Sequence, residues 1–220
     1  MFGAGLRRVS LSVFCALLSL SISSNTRIDQ PLDIITLATL LSSQQFVHGH
    51  FIQQNKILGI AKPIETTGRF LYARGHGLLW NIETPISFHT LYTKKKPDTY
   101  MTSQQAVGKR PNVVGRASEL MINLLDGKGI NDNNFTVELA GTSDRWSLSL
   151  VPRRVLVRRH IAKIEMKGSS YISEIDLTLD DSSSTSIEFH NVNPVFKPSP
   201  EDCQQLSMFE GPCPQSKHGH

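Results

Sequence analysis

The chain has 220 residues, of which 39% are hydrophobic and 7% aromatic, a composition typical of a globular protein rather than a disordered one. Its 23 Lys and Arg residues against 19 Asp and Glu residues give a formal net charge of +4. Removing the first 23 residues leaves 21 basic against 19 acidic residues, a charge of only +2. So weak a basic excess gives no support to nucleic-acid binding.

The N-terminus has the pattern of a secretory signal peptide. Arg7 and Arg8 precede an apolar run from Val9 to Ile22, and Ser21 and Ser23 fit the small residues before a cleavage site. The run is shorter than the roughly 20 residues that a membrane span needs. We therefore predict a cleaved signal at 1–23; a permanent N-terminal anchor is the alternative.

Two segments have the apolar spacing of amphipathic helices. The first follows Asp33 and the second runs from Ser118 to Gly127, and both begin with a residue type that caps helices. Their apolar residues are Ile34, Leu37, Leu40 and Leu41 in the first, and Leu120, Met121, Leu124 and Leu125 in the second.

The rest of the domain alternates polar and apolar residues, as antiparallel strands with one wet face do. The first strand is expected through Phe51 and Ile57, with Pro63 and the stretch 66–68 turning the chain. In "GRFLYARGHGLLW", Phe70 and Tyr72 share a face with Arg74. About nine to eleven strands and two helices predict a mainly β fold (α+β) whose large sheet curls around a partly open apolar interior.

No motif for catalysis is present. The sequence lacks the Gly-x-Ser-x-Gly elbow, a P-loop and a dinucleotide fingerprint, so we predict no enzyme and no cofactor. His48 and His50 have no third metal ligand that the sequence identifies, so no metal site is predicted. The basic stretches "TKKKP" and "PRRVLVRRH" could meet anionic lipid headgroups or an acidic partner, or simply be solvated.

The C-terminal stretch 197–220 is a polar, proline-containing tail that we expect to be poorly ordered, after a domain at 24–196. It holds Cys203 and Cys213, which in an oxidising compartment could form a local disulfide. Two free thiols are the alternative.

The segment "FIQQNKILGIAKPIETTGRFLYARGHGLLWNIETP" resembles the periplasmic outer-membrane lipoprotein carriers, the LolA family, and more closely its divergent LolA-like branch. Gly68, Arg74, Trp80 and Pro85 hold the family's spacing. The later stretches "WSLSLVP" and "IAKIEMKGSSYISEIDLTLDDSSSTSIEF" resemble second-half strands of the branch. The resemblance covers roughly residues 34–192.

The resemblance implies a curved, incomplete antiparallel β-barrel with a helical lid over its concave face. It implies a monomeric, non-enzymatic carrier in the periplasm of a Gram-negative bacterium. Such a carrier shields the acyl chains of lipoproteins, or of another lipid, between an inner-membrane exporter and an outer-membrane acceptor. A lipid- or lipoprotein-binding sensor on the same fold, without transport, is the alternative, and an exported hydrolase is a third possibility.

The resemblance also places functional residues. Arg74 stands where the family has an arginine that ties the barrel rim to the lid; Gly75 follows it where many carriers have proline. The predicted cavity residues are Phe70, Tyr72, Leu78, Trp80, Trp146, Leu148, Leu150, Ile175 and Leu177, and the predicted lid residues are Leu37, Leu40, Met121 and Leu125. Ordinary core packing is the alternative for each.

Overall fold

The structure is a computed structural model, and it describes residues 31–43, 45–93, 99–100, 108–109, 122–123, 125–126, 128, 130, 133–195 and 198–204. The predicted signal peptide, Met121 and Cys213 lie outside the described residues.

Among the described residues, two helices and eleven strands have defined bounds. The helices are α1 (Ile34–Leu41) and the single turn α2 (Val155–Arg158). The strands are β1 (Phe46–Lys56), β2 (Ile64–Ala73), β3 (Gly77–Thr84), β4 (Phe88–Thr93), β5 (Thr99–Tyr100), β6 (Gly108–Lys109), β7 (Phe135–Thr142), β8 (Arg145–Pro152), β9 (Ile161–Gly168), β10 (Ile172–Leu179) and β11 (Ser184–Pro194). In the predicted central helix, the described residues 122, 123 and 125 are helical.

Nine strands form one antiparallel sheet in the order β4-β3-β2-β1-β11-β10-β9-β8-β7, and β5 pairs with β6 separately. Within the described residues β4 and β7 are the two edges, so the sheet is not closed on itself. The prediction of a mainly β fold with a large, open antiparallel sheet is confirmed.

The strand register divides the connections between two ends of the sheet. One, called here the Arg74 end, holds the β2–β3 turn (74–76), the β7–β8 turn (143–144) and the β9–β10 turn (169–171). The other, called the Leu58 end, holds the connections 57–63, 85–87, 153–160 and 180–183. α1 leads into β1 at the Arg74 end, because Phe46 pairs with Ala73.

The inner face of the sheet carries two adjoining clusters of buried residues. The first is built around Trp146 on β8 and is covered by Leu37 of α1, which is fully buried. The second is built around Trp80 on β3 and contains Ile122. Leu125 packs against both clusters, so α1 and the central segment (the described residues 122, 123, 125 and 126) together form the lid over the inner face.

The outer face of β2 is also apolar. Leu71 and Ala73 are buried there, with Val195 packed against their cluster. Alternation along a strand puts these residues on the side opposite Phe70 and Tyr72.

One predicted turn is wrong. The stretch 66–68 is not a turn but part of β2, and the chain turns earlier, at 57–63. Gly68, which we predicted to lie in a turn, lies within the strand, where its lack of a side chain leaves room for the ring of Phe51.

In the predicted tail, residues 200–204 form a helical turn. The backbone N–H of Asp202 donates to the hydroxyl of Ser199, which caps this turn. Cys203 is disulfide-bonded. Its partner lies outside the described residues, so pairing with Cys213 stays a prediction.

Candidate functional site

Aromatic rings line the inner face between β1, β2, β3 and β11. Phe51 stacks on Trp80 with ring centroids 3.8 Å apart and an interplanar angle of 22°. Phe189 meets Phe70 edge-on at 5.1 Å and Trp80 edge-on at 6.1 Å. The four side chains therefore form one contiguous aromatic group within the second cluster, and two of them, Phe70 and Phe189, also line the pocket described below.

Two strand glycines make room for these rings. A Cβ at Gly68 would lie 2.9 Å from the ring of Phe51, and one at Gly49 would lie 2.8 Å from the ring of Phe70. A Cβ at Gly68 would also come within 2.0 Å of the backbone oxygen of Asn81. The aromatic rings can lie across the neighbouring strand only because these positions carry no side chain.

An apolar pocket opens beside this group, at the Arg74 end of the sheet. Its empty volume is about 450 Å³, counting the part open to solvent. The lid contributes one wall through Leu41 and Leu125, and the sheet contributes the other. The sheet-side lining residues are Val47, Phe70, Tyr72, Ser170, Tyr171, Ile172, Phe189 and Val192.

Arg74 fastens α1 to the rim of the sheet. Its Nη2 donates a hydrogen bond of 3.1 Å to the carbonyl oxygen of Leu41, at the last turn of α1, and its backbone N–H donates to the carbonyl of Gln45 at 2.9 Å. A cation is favourable at a helix C-terminus, where carbonyls lack partners within the helix. Partial burial lowers the pKa of Arg74 from its ordinary value, although arginine keeps its proton in proteins.

Tyr72 and Asp126 join the sheet to the central segment. The hydroxyl of Tyr72 donates to Oδ1 of Asp126, whose residue is only 3% exposed. Burial raises the pKa of Asp126 because a carboxylate loses its hydration, while nearby Lys128 acts in the opposite direction. Each of the two lid pieces is thus attached near the pocket by a polar contact from the same hairpin, at residues 72 and 74.

This raised pKa makes lid stability depend on pH. When the folded-state pKa of a carboxyl exceeds its unfolded value, the folded state gains stability as pH falls through that raised pKa. We expect the wild-type melting temperature to rise, relative to that of Asp126→Asn, between neutral pH and the ordinary aspartate range. The asparagine oxygen can still accept from Tyr72 but does not titrate, so parallel pH profiles of the two proteins would contradict this prediction.

Most of the predicted cavity residues are core residues in the structure. Phe70 and Tyr72 line the pocket, as does the predicted lid residue Leu125. The others pack inside the two clusters: Leu78 and Trp80 in one, and Trp146, Leu148, Leu150, Ile175 and, partly buried, Leu177 in the other, where Leu37 and Leu40 also lie. Within the described residues, the interior between lid and sheet is therefore largely filled by the protein's own side chains, and the pocket is an open space beside it.

Several residues of the site were missed from the sequence. Asp126 was treated only as part of the end of the predicted central helix. Its carboxylate directly follows the apolar stretch "LMINLLD", and this position could have identified it as a polar group at the edge of the buried face. Phe51 and Phe189 were not among the predicted cavity residues. In the structure they are directly opposite each other on β1 and β11. Only the strand register brings them to Trp80.

Within the described ranges, the structure shows no group of three or more His, Cys, Asp and Glu residues placed to hold a metal ion. In the same part of the chain, no helix has both the length and the apolar character to cross a bilayer.

Comparisons with known proteins give similarity of fold alone. No family model matches the chain, and no curated protein matches it. Among solved structures, a LolA superfamily protein from Nitrosomonas europaea is 9% identical, with 78% of this chain and 96% of that chain covered and a TM-score of 0.43.

Two further solved structures have a similar arrangement. A chain of the Pseudomonas aeruginosa MucA/MucB complex is 14% identical over 77% of this chain, with a TM-score of 0.43. This chain covers 57% of that one. A DUF1329 family protein from Desulfovibrio piger is 10% identical, with 76% of this chain and 92% of that chain covered and a TM-score of 0.35. These values assign no activity to the chain.

Proposed function

We propose that the chain is a lipid-binding carrier that takes the acyl chains of a lipoprotein, or of a related lipid, between the lid and the sheet. The observation that carries the proposal is an apolar pocket bordered by a lid whose two pieces are each attached to the hairpin at residues 72–74 by a polar contact. Opening the lid exchanges these polar contacts for water, and it also exposes Leu37 and Ile122, which are buried in the two clusters. A guest must therefore supply apolar contacts in place of the core packing that is lost.

Opening the lid would enlarge the apolar surface available to a guest. Lifting α1 away from Arg74 would separate Leu41 from the pocket, and lifting the central segment would uncover the aromatic group around Trp80. Each acyl methylene moved from water into such a surface contributes roughly 0.8 kcal/mol. A long acyl chain can therefore supply the free energy that displaces the lid. When the lid side chains return to the clusters, the apolar contacts they regain favour release of the acyl chain.

The signal-like N-terminus and the family resemblance support the periplasm as the place of action, with an inner-membrane exporter and an outer-membrane acceptor as partners. In that compartment a carrier must keep acyl chains out of water between the two membranes. The proposal includes no catalytic step.

The test is whether the protein moves a lipidated protein from vesicles into solution. A fluorescently labelled bacterial lipoprotein is embedded in vesicles, the purified chain is added, and the vesicles are removed by flotation. We expect label in the vesicle-free fraction in proportion to the added chain. Retention of all label on the vesicles by a chain that still binds acyl probes would instead support the binding module without transport.

A further inference from the structure

The exposed aliphatic side chains gather at one end of the sheet. Of the nine large hydrophobic residues that are exposed among the described residues, six lie in the connections of the Leu58 end, and Ile64 and Val151 lie at the adjoining ends of β2 and β8; the exception is Ile35. The eight residues in or beside these connections are Ile57, Leu58, Ile60, Ile64, Ile86, Val151, Val155 and Leu156. Leu58, Ile86 and Leu156 are 71%, 73% and 66% exposed, so these side chains extend into solvent rather than fill gaps in the surface.

Basic residues are mixed with them. The four connections of the Leu58 end contain five basic residues, Lys62, Arg153, Arg154, Arg158 and Arg159, against two acidic ones, Asp180 and Asp181. The adjoining strand ends add Lys56, Glu65 and Glu83, and Glu83 is paired with Arg69. Arg153 donates to the carbonyl of Phe135, and Asp181 accepts from the backbone of Ser183. Arg154, Arg158 and Arg159 form no ion pair within the part of the chain that the structure describes.

The backbone holds this end in place. The two largest contributors are the β1–β2 connection and the segment around α2, both of which continue directly from strands of the main sheet. The backbone N–H of Leu58 donates to Oγ of Ser183, which ties the β1–β2 connection to the β10–β11 turn. The apolar and basic side chains are therefore presented by a supported edge rather than by a free tail.

We propose that the Leu58 end docks on the surface of an anionic lipid bilayer. Exposed isoleucine and leucine side chains enter the boundary between headgroups and acyl chains, and the arginines and lysine around them meet the lipid phosphates. We favour an anionic membrane over an acidic protein because the exposed aliphatic side chains are distributed over three separate connections, 57–63, 85–87 and 153–160, with basic residues among them. A bilayer surface can receive all of these side chains and charges at once. The pocket opens at the opposite, Arg74 end, so the inference does not depend on the proposed carrier function.

The test uses a local probe in the full chain. Leu58→Trp and the matched control Ile35→Trp place tryptophan at comparably exposed sites, and the native Trp80 and Trp146 are both buried. Each variant is mixed with vesicles of phosphatidylcholine alone, or with phosphatidylglycerol added, in which brominated lipid quenches tryptophan on contact. We expect Leu58→Trp to be quenched on the anionic vesicles, and Ile35→Trp to show no more quenching than the wild type.

A second pair of variants tests the charges. Replacing Arg154 and Arg158 together by glutamine should lower partition onto anionic vesicles roughly fivefold for each basic residue removed. Arg145→Gln, at the opposite end of the sheet, should leave partition unchanged. The proposal is overturned if Leu58→Trp is quenched no more than Ile35→Trp, or if its quenching is equally strong on neutral vesicles. Because no lipoprotein is present, these results are independent of the transfer experiment.

Discussion

Arg74→Leu is expected to loosen α1 without unfolding the sheet. The variant loses the charged hydrogen bond to the carbonyl of Leu41, an interaction worth about 1.5–3 kcal/mol when one partner is ionised. Amide exchange over residues 34–41, followed by mass spectrometry, should therefore quicken about tenfold or more. Binding of an apolar dye should rise as well, because α1 then leaves the rim more often.

Arg69→Leu is the matched control, on the same strand. Arg69 is half exposed and pairs with Glu83 at 2.7 Å, a surface ion pair of the kind that contributes at most about 1 kcal/mol. Its partner lies on β3 rather than on α1, so exchange over residues 34–41 should match the wild type. If α1 is protected equally well in both variants, Arg74 has no part in holding the lid.

Gly68→Ala is expected to have the largest effect on stability. The added Cβ would lie 2.0 Å from the backbone oxygen of Asn81 and 2.9 Å from the ring of Phe51. A backbone atom held in the sheet cannot move aside as a side chain can, so the loss should reach about 3 kcal/mol. Thermal unfolding should then begin about 6–12 °C lower for a chain of this size.

Gly75→Ala separates this packing loss from the general effect of replacing a glycine. Gly75 has a positive φ of 76°, but a Cβ added there would meet nothing within 4 Å. Only backbone strain of roughly 1–2 kcal/mol is therefore expected. A melting temperature for Gly68→Ala as high as that of Gly75→Ala would show that the aromatic ring does not depend on the missing side chain.

The sequence was sufficient for the fold class because its signals are local. Alternation along "RWSLSLVP" predicts β8, where Trp146, Leu148 and Leu150 are buried as one face requires. Helical spacing after Asp33 predicts α1, and the Asp33 carboxylate does accept from the backbone of Thr36.

Gly68 shows where local reasoning fails. A glycine after two threonines is typical of a turn. Here a glycine is required instead because Phe51, seventeen positions earlier in the chain, lies opposite Gly68 in the sheet and its ring occupies the space of a side chain. Such a requirement arises only when two strands are already in register. Asp126 was missed for the same reason, since its partner Tyr72 is distant in sequence and the apolar helix around it predicts no polar contact.

The candidate site was predictable only in part. The resemblance placed Arg74 at the rim, and a hydrogen bond to α1 exists there, but its role in lid movement stays a prediction. The extent of the pocket could not be predicted, because alternation identifies an inward-facing residue without indicating whether its neighbour is a guest or another side chain of the protein.

The most direct measurement of the central claim is the affinity of the wild-type chain for a fluorescent polyene fatty acid. The comparison variants are Val192→Trp, which fills the pocket from the sheet side, and Val151→Trp, which adds the same bulk at the Leu58 end. We predict saturable binding to the wild type, a loss of at least about tenfold, or 1.4 kcal/mol, in Val192→Trp, and no change in Val151→Trp. Absence of saturable binding to the wild type, or equal affinity in Val192→Trp, would contradict the account.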